Sequence, residues 1–129
     1  MRPIDANELC EGRVCNDPVR IAAMCADTLS LNTLRDEIYQ DAVAHGLWDA
    51  DMTYPLDDCC ELINDELKEL AEAADDYEYK SGTMDRFCEE LADMVIMSMS
   101  VAGLHGIDID AAIRNKMTVN KNRPWKHGK

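Results

Sequence analysis

Two pairs of acids, Glu66 with Glu69 and Glu90 with Asp93, constrain this chain more than any other feature. Each pair has i, i+3 spacing, and each sits in an apolar pattern of helical period. Ile63, Leu67, Leu70 and Ala74 recur around the first pair, and Phe87, Leu91, Met94 and Val95 around the second. On an α-helix, residues i and i+3 share a face, about 4.5 Å apart along the axis. The acids therefore border the apolar stripe rather than lying opposite it. Two such helices packed antiparallel would aim four carboxylates at one spot. Like charges at this spacing repel by about 0.2–0.5 kcal/mol per pair even on an exposed helix, so convergence calls for a cation. With no His or Cys in the set, the donors favour a hard divalent ion, Mg²⁺ or Mn²⁺, over Zn²⁺. The competing reading is that acid pairs are common on solvated helix faces, and this chain is rich in acids.

The remaining pattern is helical throughout. Asn32 is placed to cap a helix carrying Leu34, Ile38 and Ala42, which Gly46 ends as a C′ residue. Pro55 opens a second helix over roughly 56–76, and a polar loop runs from Asp75 to Gly82. Thr83 caps a third over 84–104, with Gly103 and Gly106 bracketing its end, and Met94, Met97 and Met99 in its core stripe. Asp108 caps a fourth, from Ile109 to about Val119, with Asp110 at its positive end. No β-alternation of useful length and no internal repeat is present. The expectation is an all-α fold: an antiparallel bundle of about four helices. Residues 1–30 carry little periodicity and read as an N-terminal appendage. A cap at Asn7 or Asp17 and a short helix around Val19, Ile21 and Met24 are its only signals. Residues 31–129 read as one domain.

Charge and cysteine usage narrow the function classes. The net charge is −13, which argues against non-specific nucleic-acid binding. Its distribution is uneven. Thirteen acids face three bases between Asp57 and Glu90, whereas residues 111–129 hold six bases and no acid. A carboxylate cluster needs a cation and a basic tail needs an anion; a metal-bound polyphosphate satisfies both. A tail that merely neutralises the acidic helices is the alternative. No window is apolar enough for a membrane span. The six cysteines include adjacent Cys59 and Cys60, and the start Met1-Arg2-Pro3-Ile4-Asp5 has no apolar leader. Both point to reduced thiols and a cytoplasmic location. Cys10 and Cys15 lack a second metal-binding pair nearby. Trp48 reads either as a core plug or as a flat surface for a nucleobase. His45 reads as a structural histidine or a site residue.

These residues resemble a known family, the MazG-like all-α nucleoside triphosphate pyrophosphohydrolases. The stretch Asp65-Glu66-Leu67-Lys68-Glu69, followed by Glu90-Leu91-Ala92-Asp93, is similar to that family's Glu-Glu-x-x-Glu…Glu-x-x-Asp pattern, with Asp65 departing from it. Ala42 to Asp49 resembles the family's helix-end segment near the base pocket. Gly106-Ile107-Asp108, Lys116, Asn120 and Arg123-Pro124-Trp125 resemble its Lys-x-x-x-Asn ending. The resemblance covers about residues 31–129. It implies Mg²⁺-dependent hydrolysis of a (d)NTP to (d)NMP and pyrophosphate. Glu66, Glu69, Glu90 and Asp93 would be metal ligands, and Glu66 or Glu69 the general base. His45, Trp48, Lys116, Asn120 and Arg123 would bind substrate. It also implies a homodimer or homotetramer. A non-catalytic helical oligomer that binds nucleotides or a partner protein is the competing function.

Overall fold

The chain turns three times, and each turn is built by a local signal. The computed structural model describes residues 30–124. They form four α-helices and no strand: α1 (Leu31–Ala44), α2 (Leu56–Tyr79), α3 (Met84–Leu104) and α4 (Ile109–Lys121). The expected all-α class and four-helix arrangement are what the chain adopts. The N-terminal appendage up to residue 29, with Asn7, Cys10, Cys15, Asp17 and the helix near Val19, lies outside the described residues. So do Trp125, Lys126 and Lys129 of the tail.

Helices α1 and α3 end in the same motif. Gly46 takes φ +82° and Gly106 φ +65°, the left-handed conformation that glycine adopts without a Cβ penalty. Leu47 N–H then reaches the Ala42 carbonyl at 2.9 Å, and Ile107 N–H the Ala102 carbonyl at 2.8 Å. These bonds satisfy carbonyls left over at each helix end. Thr83 Oγ1 accepts from Arg86 N–H at 3.2 Å and Asp108 Oδ1 from Ala111 N–H at 2.9 Å, so both expected N-caps are in place.

Two local expectations are corrected. Asn32 does not cap α1; Ser30 occupies that position without a side-chain bond. Asn32 instead donates to Asp108 Oδ1 at 2.8 Å, and its own Oδ1 accepts from Asp110 N–H at 3.3 Å. Asp110 in turn accepts from Leu31 N–H at 3.3 Å, so the N-termini of α1 and α4 cap one another. Second, α2 runs on through Asp75 and Asp76 to Tyr79, because cations neutralise its acidic end. Lys80 lies 3.5 Å from Asp75 and 3.4 Å from Asp76, and Arg86 of α3 pairs with Asp76. Gly103 lies inside α3 and Gly106 just past its end, the bracketing pair expected. A Cβ at Gly103 would stand 2.6 Å from Tyr39 Cβ, so Gly103 lets α1 approach α3.

Helices α2 and α3 form a long hairpin, α1 packs on α3, and α4 packs on α1. The core lies at the α1 end of the hairpin, where Trp48, Cys59 and Val101 meet Tyr39, Tyr54 and Ile63. Trp48 is 3% exposed, and its indole N–H donates to Ser100 Oγ at 2.6 Å. Tyr54 meets it edge-on, with ring centroids 4.9 Å apart. Of the two roles expected for Trp48, the structure assigns the core plug. The ring is almost wholly enclosed and its donor already used, and Trp48 also lines a cavity with Tyr39, Val43 and Met52. No single helix among the described residues is long and apolar enough to cross a membrane.

Candidate functional site

The α2–α3 hairpin brings the two acid motifs together. One carboxylate oxygen each from Glu66, Glu69 and Glu90 lie within 4.8 Å of one another. Glu69 is exposed, while Glu66 and Glu90 are half-buried. The fourth expected member, Asp93, is exposed and stands outside this group of three, yet its charge acts on both Glu66 and Glu90.

The electrostatics are those of an uncompensated anionic site. Burial, then the charges of Glu69 and Asp93, push the Glu66 carboxyl above its ordinary value. The same causes raise Glu90, with Arg86 opposing them. Glu90 Oε2 is buried without a hydrogen-bond partner. A buried charged oxygen with no donor is costly; most of the charges acting on it are other carboxylates, which cannot donate when ionised, and Arg86 acts on it without a hydrogen bond to this oxygen. An oxygen-only donor set with an orphaned buried oxygen fits a hard divalent cation, as the sequence expects. Glu66, Glu69 and Glu90 would hold it, with Asp93 at the edge.

The same face of α3 continues into an apolar cavity. Glu90, Asp93, Met97 and Ser100 recur at helical spacing, so Met97 stands about 10 Å along the axis from Glu90. There Ile38, Leu47, Ile96 and Met97 wall a cavity of 280 Å³, with Asp41 and His45 among its lining. His45 caps the end of α1, and its Nδ1 lies 2.8 Å from the Asp41 carbonyl oxygen. The structure thus places His45 at a cavity, whereas Trp48 stays in the core behind it. Asp41 was not singled out from the sequence. Its signal was there: Ile38, Asp41, Ala42 and His45 share one face of α1.

Among the described residues, neither Lys116 nor Arg123 forms an ion pair with the carboxylates. The axis turns by 115° between α3 and α4, and α4 packs on α1. Lys116 is exposed and has no ion pair among the described residues. Arg123 Nη2 donates to Asn120 Oδ1 at 3.1 Å.

Fold and site together define an all-helical protein with an interhelical carboxylate centre beside an apolar cavity. One curated protein, named dATP/dGTP diphosphohydrolase, from Salmonella phage PMBT28, is 38% identical to this chain over 77 residues. That match covers 60% of this chain and 24% of the phage protein, so the chain spans about a quarter of the length of the relative it matches. No family model matches the sequence, and no solved structure matches it.

Proposed function

We propose that this chain carries the helical catalytic unit of a metal-dependent nucleoside triphosphate pyrophosphohydrolase, which splits a (d)NTP to (d)NMP and pyrophosphate. The observation that carries the reading is the meeting of Glu66, Glu69 and Glu90 around an orphaned buried oxygen, on the helical face that leads to the cavity. The name of the phage relative, a dATP/dGTP diphosphohydrolase, supports a nucleotide as substrate.

Glu66, Glu69 and Glu90, with Asp93 beside them, would hold Mg²⁺ or Mn²⁺. The cation, when bound, supplies charge neutralisation and in-line alignment for attack at phosphorus. Glu66 or Glu69 takes the proton of the attacking water, and the raised proton affinity of Glu66 makes it the better candidate. The cavity takes the base, with His45 at its rim. Lys116 and Arg123 grip phosphate oxygens, with Asn120 beside Arg123. Helix α4 packs on α1 rather than on the α2–α3 hairpin, and these cations would reach the site from a neighbouring copy, in a homodimer or homotetramer.

The test is direct. Incubation with each dNTP and Mg²⁺ should release (d)NMP and pyrophosphate, and Glu69→Gln should abolish release while circular dichroism remains helical. Phosphate release without pyrophosphate would refute the reaction assigned. Absence of any cleavage across the panel would leave a nucleotide-binding bundle instead.

A further inference from the structure

The cavity between α1 and α3 has a polar rim with a definite hydrogen-bonding sense. Its walls are apolar, so the few polar atoms at its edge decide what fits. Asp41 contributes a carboxylate, which when ionised only accepts. His45 contributes an imidazole whose tautomer is fixed. Its Nδ1 lies 2.8 Å from the Asp41 carbonyl oxygen, and a carbonyl cannot donate, so Nδ1 carries the hydrogen. The neutral ring then presents Nε2 as an acceptor. Ser100 Oγ, also in the lining, accepts the Trp48 N–H.

We propose that Asp41 is a specificity-determining residue that selects nucleotides whose base presents amino hydrogens, guanine foremost. This rests on the function proposed above and deepens it. Guanine places N1–H and N2–H₂ side by side, so the two oxygens of one carboxylate can accept both. Adenine and cytosine offer one amino group and rank next. Thymine and uracil turn two carbonyls and a single N–H toward the acceptors of Asp41 and His45, with only the Ser100 hydroxyl hydrogen to meet their carbonyl oxygens. Such mismatches discriminate more strongly than any loss of apolar contact. The cavity volume of 280 Å³ is at the small end for ligand pockets, which suits one heterocycle rather than a whole nucleotide.

Asp41→Asn keeps the shape and replaces an acceptor oxygen by a donor. Two measurements test it. The first is the ratio of kcat/KM for dGTP over dTTP, which the substitution should lower about tenfold or more, mainly through KM, since the base does not change in the reaction. The second is the affinity for dGMP and for thymidine monophosphate without metal, where the same ratio should fall in parallel. Hydrolysis by the wild type with a ratio unmoved by Asp41→Asn would overturn the assignment and leave the proposed reaction standing. Selective loss of dGMP binding in a chain that hydrolyses nothing would uphold the assignment and sink the reaction. A wild type that binds neither monophosphate and prefers thymine or uracil substrates would overturn the role of Asp41.

Discussion

Glu66 and Glu90 carry the cost of the site, and that cost has a sign. Folding raises the proton affinity of both carboxyls. The folded chain therefore holds more protons than the unfolded chain between the two values, so this contribution favours the native state at low pH. It is lost as pH rises through the folded values. A bound cation competes with those protons. Thermal unfolding should thus show a larger Mg²⁺-induced rise in Tm at pH 8 than at pH 5. Equal rises would mean that Mg²⁺ binds elsewhere. Glu66→Gln should raise the Tm of the cation-free protein by roughly 1–4 °C, because it removes like-charge repulsion. The same change should abolish the Mg²⁺ response and cut hydrolysis on the order of a hundredfold or more. A Tm that falls instead would mean that Glu66 makes a structural bond. Trp48 gives the opposite case, a residue held in the core. Trp48→Ala should cost about 3–5 kcal/mol, measured by urea unfolding.

At the scale of elements, two glycines hold the helices together and can be compared by magnitude. Gly103 lies within α3, where alanine would gain about 1 kcal/mol of helix propensity. Against this, the new Cβ meets Tyr39 Cβ at 2.6 Å. That atom is fixed to the α1 backbone and cannot rotate away, so the overpacking term of about 1–3 kcal/mol wins. Gly103→Ala should lower Tm; a rise would show that α1 shifts without cost. At Gly82 the Cβ would meet the Asp76 backbone carbon at 2.7 Å, with no helix propensity to gain. The loop is also latched by Arg86 on Asp76, whose carboxyl that bond holds below its ordinary value. Stability from a depressed carboxyl is present above the unfolded value and lost as pH falls through the folded one. Arg86→Ala should therefore lower Tm at pH 7 and flatten its fall on acidification. What the sequence made legible follows from this scale. Helix starts and stops at Pro55, Thr83, Gly46, Gly106 and Asp108 are local signals, and they located four helices and the meeting of Glu66, Glu69 and Glu90. Contacts across long spans were not readable. Asn32 resembles an N-cap, yet its partners Asp108 and Asp110 are 76 and 78 residues away. The partner of Trp48 is Ser100, 52 residues on, and Asp76 looks like a loop acid until Arg86 is placed beside it.

For the whole molecule, the small core and the position of α4 point the same way. Leu67, Leu91, Val95 and Ile96 are 46%, 45%, 50% and 47% exposed, and Leu91 and Val95 stack one turn apart on α3 beside Glu90 and Asp93. Apolar side chains half-open to water next to a carboxylate centre are what a second helical hairpin would cover. Helix α4, which carries Lys116, meanwhile packs on α1 rather than on the α2–α3 hairpin. If a neighbour supplies both the cover and the cations, each site is shared between copies. Light scattering after size exclusion should then report a dimer or tetramer, and Val95→Glu should shift it to monomer with activity lost in parallel. The sharper measurement is complementation. Glu69→Gln removes a carboxylate and Lys116→Ala a phosphate contact, so each variant alone should be nearly inactive. Unfolding and refolding the two together should restore part of the activity, because mixed assemblies contain sites built from the intact half of each chain. If Lys116 serves the carboxylates of its own chain, those mixtures still pair each damaged group with its own site, and no activity returns.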